Sequence, residues 1–359
     1  MNNKFKINSV AFLSIFIILI SSLLSWGIIE VAKDILGLKK NEISSEVVIP
    51  KGSSTGKIAS ILKNNKIIKY PIVFKVYSKL TKVDNTYREG KYVLSSTMSY
   101  SDIIYYFQNM TAREDVVKVT IPEGYTVNQI ASLLKEKGVC EKKQDFLDAI
   151  NNEKYKSEAL DQVEDNKLIC FKSEGYLFPD TYEFILKDKP KHLIEIMTQN
   201  FDKKVLGELR QDIDKSELSL SEIITLASIV QKESTSADVM KKVSSVFFNR
   251  LNNPREYLRL ESDVTILYIE SDIKPNLEMK NQEMYDSYNT YVCKGLPVGP
   301  ICNPGLDAIK SVLEPEDTDY YFFLTDINND YYWATNFSQH NNNIYKASRL
   351  GAVKGLKTD

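Results

Sequence analysis

The feature that most limits what this chain can become lies at its start. Between Ile7 and Ile29 there is no charged residue, and Val10 to Ile29 is a run of twenty residues built mainly from Ile, Leu, Phe and Ser. At about 1.5 Å per residue, a helix of that length spans about 30 Å, the thickness of a bilayer's hydrocarbon core. Lys4 and Lys6 precede the run, while Glu30 and Asp34 follow it. The positive flank is expected in the cytoplasm and the rest of the chain outside. Trp26 stands where an outer interfacial anchor belongs. The competing reading is a cleaved signal peptide, but the run exceeds the roughly 7–15 residues of a signal core and no A-x-A-like site follows. The expectation is a single-pass cell-membrane protein with a cytoplasmic tail (1–9), a transmembrane helix (10–30) and a linker (31–46, including the polar stretch Leu38–Glu46).

Length leaves room for two folded units beyond that helix, at roughly 150 residues per domain. Forty-six basic residues against 48 acidic give a net charge of −2, without the basic excess of a dedicated nucleic-acid binder. Two histidines, His192 and His340, and four cysteines are too few for the usual zinc cages, so no metal and no cofactor are expected. Cys293 and Cys302 flank a Gly/Pro-rich loop, and Cys140 and Cys170 form a second possible pair. The spacing leaves disulfides and free thiols equally open.

An internal repeat organises the middle of the chain. The stretch from Ile49 to Lys63 recurs 72 residues later from Ile121 to Lys135, with eight of fifteen positions identical and no gap. Each copy reads as a short strand (Val47–Ile49 and Val117–Ile121), a Pro-x-Gly turn, then an amphipathic helix. Ile58, Ile61 and Leu62 share one helical face, as do Ile130, Leu133 and Leu134. The first copy runs on into a second helix, Pro71 to Leu80. This strand–helix–helix order suits a small LysM-like α+β module, placed at 47–115, with a larger α+β domain at 116–359. In that domain, Leu218–Leu251 carries helical periodicity broken near Ser234–Ala237. Tyr320–Thr325 and Tyr331–Ala334 alternate about the turn Asp326–Asp330 and read as a β-hairpin.

Carboxylates are the only groups with credible catalytic placement. There is no G-x-S-x-G elbow, no Gly-rich phosphate loop and no H-E-x-x-H. With two histidines in the chain, a Ser/His or Cys/His hydrolase is a poor fit. In the helix Leu220–Glu233, the apolar stripe runs Ile223, Leu226, Ala227, Val230. Glu233 falls within about 20° of Leu226, on the shoulder of that stripe, whereas Lys232 falls opposite. A carboxyl held against an apolar wall resists ionisation, which suits a general acid near neutral pH. Spacing alone favours a glutamate that caps or pairs where its helix ends. Asp263 and Glu261 are further candidates, with the same alternative.

Several longer motifs carry a family resemblance. LASIVQKES (226–234), VSSVFFNRL (243–251), DVTILY (263–268), YNTYVCKGLPVGPICNPGLDAI (288–309) and EGYLFPDTYEF (174–184) resemble, in order and spacing, the YceG-like endolytic murein transglycosylases over about residues 47–350. That resemblance implies a membrane-anchored lyase. It would cut peptidoglycan strands internally at the MurNAc–GlcNAc β-1,4 bond and leave 1,6-anhydro-MurNAc ends in cell-wall assembly. Its implied partners are wall synthases and division or elongation proteins. The family's segment often reads IV-E-K-E. Here Gln231 replaces the first acid, leaving Glu233 as the implied catalytic acid and later base. Two prolines of the pattern are replaced by Val264 and Val298. Substrate-binding candidates are Glu174, Tyr176, Asn249, Asp263, Tyr288, Asn289, Tyr291 and the pair His340-Asn341. Tyr176 could equally fill core, Asn249 could end its helix, and the His-Asn pair could line the site or be structural.

Two rivals stay open at this level. A hydrolytic muramidase would need a second carboxylate, Asp263 or Glu261. A non-catalytic peptidoglycan-binding scaffold would leave Glu233 structural. A PLP-dependent lyase lacks any lysine that stands out as a Schiff-base site.

Overall fold

The computed structural model describes residues 2–38, 43–84, 86–109, 116–152, 154–277 and 279–349. The chain divides into two compact units, Met1–Val116 and Val117–Asp359.

The first unit begins with α1 (Asn2–Ile35), a helix long and apolar enough to cross a membrane. It continues to Ile35, past the end of the apolar run, with Asp34 buried near its end. β1 (Ser44–Ile49), α2 (Thr55–Asn64), α3 (Pro71–Leu80) and β2 (Gly90–Ser95) come next, and then α4 (Tyr100–Asn109). β1 and β2 pair antiparallel, Ser44 opposite Ser95 and Ile49 opposite Gly90. α2 starts where Ser54 accepts the N–H of Lys57, and it buries Ile58, Ala59 and Leu62. Pro71 opens α3, where its missing N–H is no loss. Phe74, Tyr92, Leu94, Ile103 and Phe107 fill the core, with edge-on ring contacts Phe74–Tyr100 at 5.1 Å and Tyr92–Phe107 at 4.8 Å.

The second repeat copy lies in the second unit. β3 (Val116–Thr120) leads to α5 (Val127–Glu136), where Thr126 and Gln129 form a reciprocal capping box. α6 (Lys143–Asn152) and the short α7 (Glu158–Asp161) follow, and β4 (Thr181–Ile185) pairs with β3. Both copies therefore place their capped helix after one strand of a two-stranded sheet and bury the same face. Ile61 and Leu133 are only half-buried, on the edge of that face.

The rest of the second unit is mostly helical: α8 (Pro190–Phe201), a π-turn at 202–206, α9 (Gly207–Ile213), α10 (Leu220–Glu233), α11 (Ala237–Asn252), α12 (Asp263–Tyr268), α13 (Gln282–Tyr288), α14 (Leu306–Leu313) and α15 (Phe337–Ser348). β5 (Phe322–Thr325) and β6 (Tyr331–Ala334) form the expected antiparallel hairpin. α10 is the axis, packed against α11, α12 and α14. It is buried on nearly all sides, not along one stripe: Thr225 and Ser228 are inside with Ile223, Leu226 and Val230. The Ser228 hydroxyl is satisfied inside. Ser228 Oγ donates to Thr225 O at 2.7 Å and accepts the N–H of Ile301 at 3.0 Å. All four cysteines are free thiols.

Candidate active site

Glu233 is the last residue of α10, and the helix stops there because Ser234 turns into extended backbone. Lys232 is exposed and Glu233 half-buried. Ser262 Oγ donates to Glu233 Oε1 at 2.6 Å, and Tyr331 on β6 donates its hydroxyl to the Glu233 carbonyl at 2.6 Å. Burial is the main force on the carboxyl, raising its pKa from 4.5 to about 7. The Ser262 hydroxyl works against that rise, and the negative charge of Asp263 adds to it.

Ser262 is itself fixed from behind. Its N–H donates to Thr290 Oγ1 at 2.9 Å, and its carbonyl accepts from Thr290 Oγ1 at 3.1 Å and from Thr265 Oγ1 at 2.8 Å. Thr265 and Thr290 are fully buried and touch each other at 3.0 Å. Ser262, Thr265, Thr290 and Tyr331 carry no signal of their own in the sequence. A serine before Asp263 reads as a helix cap, yet its side chain makes no capping bond.

Asp263 and Tyr291 sit on the open side. Both are exposed, and Tyr291 donates its hydroxyl to Asp263 Oδ1 at 2.7 Å. Burial and then Asp263 hold the Tyr291 phenol well above its ordinary pKa, with smaller contributions from Glu261 and Glu233. Asn289 Oδ1 accepts the N–H of Tyr291 at 2.9 Å. Asn289 also lines a cleft of about 170 Å³ with Ile266, Lys274 and Tyr285. The structure thus brings Glu233, Asp263, Asn289 and Tyr291 together through the 262–265 and 289–291 segments.

Other sequence candidates lie in the framework. Glu174 is buried, and its carboxyl accepts the Val127 N–H at 3.0 and 3.1 Å, Tyr268 OH at 3.0 Å and Asn303 Nδ2 at 3.0 Å. Burial first, and then the nearby Asp272, push its pKa to about 8. Asn303, which sequence reasoning did not single out, also accepts the Leu177 N–H at 2.8 Å and donates to Tyr125 O at 2.9 Å. Tyr176 packs on Phe201, and Tyr288 on Tyr268; both are fully inside. Asn249 donates to the carbonyls of Thr318 and Tyr320 at 2.7 and 2.9 Å, holding the approach to β5. His340 stacks on Phe322 at 5.1 Å, beside the buried Arg250 guanidinium, which lies 4.9 Å over the same ring. Burial and then that cation lower the His340 pKa. Asn341 is exposed on α15. Glu261 pairs with Arg250 at 3.2 Å.

Two departures from the family pattern have local explanations. Gln231 accepts the Gly305 N–H at 2.9 Å, a bond that a neutral amide makes without burying a charge. Val298 donates its N–H to Ser287 O at 3.1 Å, a bond that a proline could not make. Among the described residues, no three His, Cys, Asp or Glu side chains converge as a metal site would require.

Glu233, a carboxyl of raised pKa at the end of α10, held by Ser262 with Thr265 and Thr290 behind it, is the candidate acid of this α+β domain. This chain belongs to the YceG-like family, whose profile matches residues 47–346. It is 32% identical over 313 residues to the endolytic murein transglycosylase of Bacillus subtilis strain 168, covering 84% of each chain. The endolytic murein transglycosylase of Streptococcus pneumoniae serotype 2 is 28% identical over 325 residues. That match covers 83% of this chain and 57% of the pneumococcal protein, so the chain spans just over half the length of that relative. A crystal structure of a YceG-like protein from Listeria monocytogenes superimposes with a TM-score of 0.54 at 31% identity, covering 84% of this chain and 98% of that one.

Proposed function

We propose that this protein is a membrane-anchored lytic transglycosylase that cuts the glycan strands of murein internally. The observation that carries the reading is the Glu233 carboxyl, protonated near neutral pH and held at one oxygen by Ser262. The relatives named endolytic murein transglycosylase support the substrate class. Glu233 first protonates the GlcNAc O4 of the MurNAc–GlcNAc bond, and the C1–O4 bond breaks. The resulting carboxylate then takes the proton of the MurNAc 6-hydroxyl as that oxygen bonds to C1, closing the 1,6-anhydro ring. Water is not consumed, so one carboxyl serves both steps, where glycoside hydrolysis ordinarily needs two.

Asp263, Asn289 and Tyr291 contact the sugars beside Glu233, and Asp263 also keeps the acid protonated. Glu174, Tyr176, Asn249, Tyr288 and His340 shape the site from within, and Asn341 lies at its rim. Residues 47–115 act as a LysM-like peptidoglycan-binding module, a role supported by the β1–α2–α3–β2 order, and residues 116–359 form the catalytic domain. The apolar span 10–30 holds the chain in the cell membrane with its N-terminus in the cytoplasm, where it joins wall synthases and division or elongation proteins.

The test is digestion of uncut peptidoglycan by the detergent-purified chain beside a Glu233→Gln variant, with mass spectrometry of the new ends. Wild type is expected to give anhydro ends and the variant none. Binding of glycan by both without cleavage would leave only a scaffold.

A further inference from the structure

The surface of α3 carries a feature that the proposed chemistry does not use. Ile72, Val76 and Leu80 recur every four residues and are 77%, 50% and 77% exposed, while Phe74 and Ser78 on the opposite side are buried. On a 100° wheel the three span about 80°, with Lys79 and Lys75 next on one flank. Both lysines are exposed. A soluble surface seldom lines up three large aliphatic side chains on a helix with nothing against them.

The start of α3 is fastened to the end of α1. The Asp34 carboxyl is buried and accepts the N–H of Lys69 at 2.8 Å and of Tyr70 at 3.0 Å, together with the Tyr100 hydroxyl at 2.6 Å. One helical turn earlier, Glu30 pairs with Lys69 Nζ at 2.9 Å. Directly after α1, Gly37 at φ +68° passes so close to the 97–98 backbone that a Cβ would lie 2.2 Å from Thr97 O. Among the described residues, the end of the apolar helix is therefore held directly against the domain, and residues 39–42 of the expected linker lie outside the described residues.

If α1 is a retained span, its helical rise sets the depth at which α3 begins. If the run ending at Ile29 fills the hydrocarbon core, Asp34 stands five residues further on, about 7.5 Å along the helix. The polar headgroup layer on each side is about 5–8 Å thick. Ile72 is two residues beyond Tyr70, which Asp34 holds, so the apolar stripe begins at headgroup depth. Lysines flanking an apolar stripe complement an anionic lipid surface, burying their stems and keeping their charges among the phosphates.

We propose that α3 lies in the outer face of the same bilayer that α1 spans, with Ile72, Val76 and Leu80 inserted among the lipids and Lys75 and Lys79 on anionic headgroups. The proposal rests on the reading of α1 as a retained membrane span. It makes the first unit a surface-bound foot, not a domain swinging on a tether.

The test uses the full chain carrying benzoyl-phenylalanine at single positions, reconstituted in phosphatidylglycerol–phosphatidylethanolamine vesicles, irradiated and read by mass spectrometry for lipid adducts. Leu19 in α1 reports the span, and Lys63, exposed on α2, is the control. Adducts at positions 72, 76 and 80 are expected at about ten times the Lys63 yield. A Lys75→Glu, Lys79→Glu double substitution should lower the position-76 yield about tenfold. Adducts at Leu19 but only the Lys63 level on α3 would overturn the docking and leave the anchor standing. Absence of adducts at Leu19 would remove the anchor and the docking with it. Protein adducts at position 76 would assign the stripe to a protein partner and equally overturn the proposal.

Discussion

Ser262→Ala separates an oriented acid from one that is merely buried. The Ser262 hydroxyl donates to Glu233 Oε1 at 2.6 Å, which favours the ionised carboxylate. A hydrogen bond to a charged group contributes about 1.5–3 kcal/mol, and one pKa unit corresponds to about 1.4 kcal/mol. Removing the donor should therefore raise the Glu233 pKa by about one to two units. The active free enzyme is the protonated form, so the rate falls as pH rises through that pKa. In wild type the limb is centred near pH 7, where Glu233 titrates at about 7, with about a tenfold loss between pH 6 and pH 8. In the variant the limb moves up, while the acid plateau drops by as much as about 100-fold because the carboxyl is no longer aimed. Release of soluble fragments from peptidoglycan between pH 5 and 10 measures both. At pH 6, where Glu233 is mostly protonated with or without the donor, stability should change by less than about 1 kcal/mol, since the Ser262 hydroxyl caps no helix. Ser262→Thr, which keeps the hydroxyl, should restore the wild-type limb. A limb that stays in place or moves down in Ser262→Ala would refute the reasoning, whatever happened to the plateau.

Other consequences concern stability. The folded-state pKa of Glu233 lies above its unfolded value of 4.5, so the native state binds the extra proton and its stability declines as pH rises from about 4.5 to 7, then levels off. Glu233→Gln removes that cost, and melting curves should show it more stable than wild type by up to about 2–3 kcal/mol at pH 8 but nearly equal at pH 4. Arg250 donates to the carbonyls of Tyr321 and Leu260 at 2.8 and 2.9 Å, so Arg250→Ala should cost about 3 kcal/mol or more by urea unfolding. Gly175 sits at φ +89°, and an added Cβ would meet Ile224 and Pro300 at 2.7 Å. Gly175→Ala should lower the melting temperature by an amount corresponding to about 2 kcal/mol or more. Equal melting temperatures there would contradict the close packing of the 174–184 turn on α10.

Much of the architecture was legible because it depends on neighbours in sequence. The apolar run, the periodicity on either side of Ser234–Ala237, the hairpin about Asp326–Asp330 and the repeated strand–turn–helix are all local patterns. The shoulder position of Glu233 was also visible. The bracing of Glu233 was not, since Thr290 reaches Ser262 from 28 residues away and both sit in stretches that read as turns. Glu174 and Tyr288 show why residue type misleads in such loops. Polar and aromatic groups in a Gly/Pro-rich segment look like a binding surface, but here they close the interior, with Asn303 joining Glu174 across 129 residues. α10 likewise read as one-sided because Thr225 and Ser228 are polar, although the Ser228 hydroxyl, satisfied within its own helix, buries at little cost.

Cleavage by a single carboxyl without water is read out by isotope labelling. Peptidoglycan is digested by the full chain in water enriched in oxygen-18, and the new ends are weighed. The anhydro ends are expected to carry no heavy oxygen. Ends heavier by one labelled water would contradict it and point to a hydrolase, with Asp263 the first second carboxylate to remove.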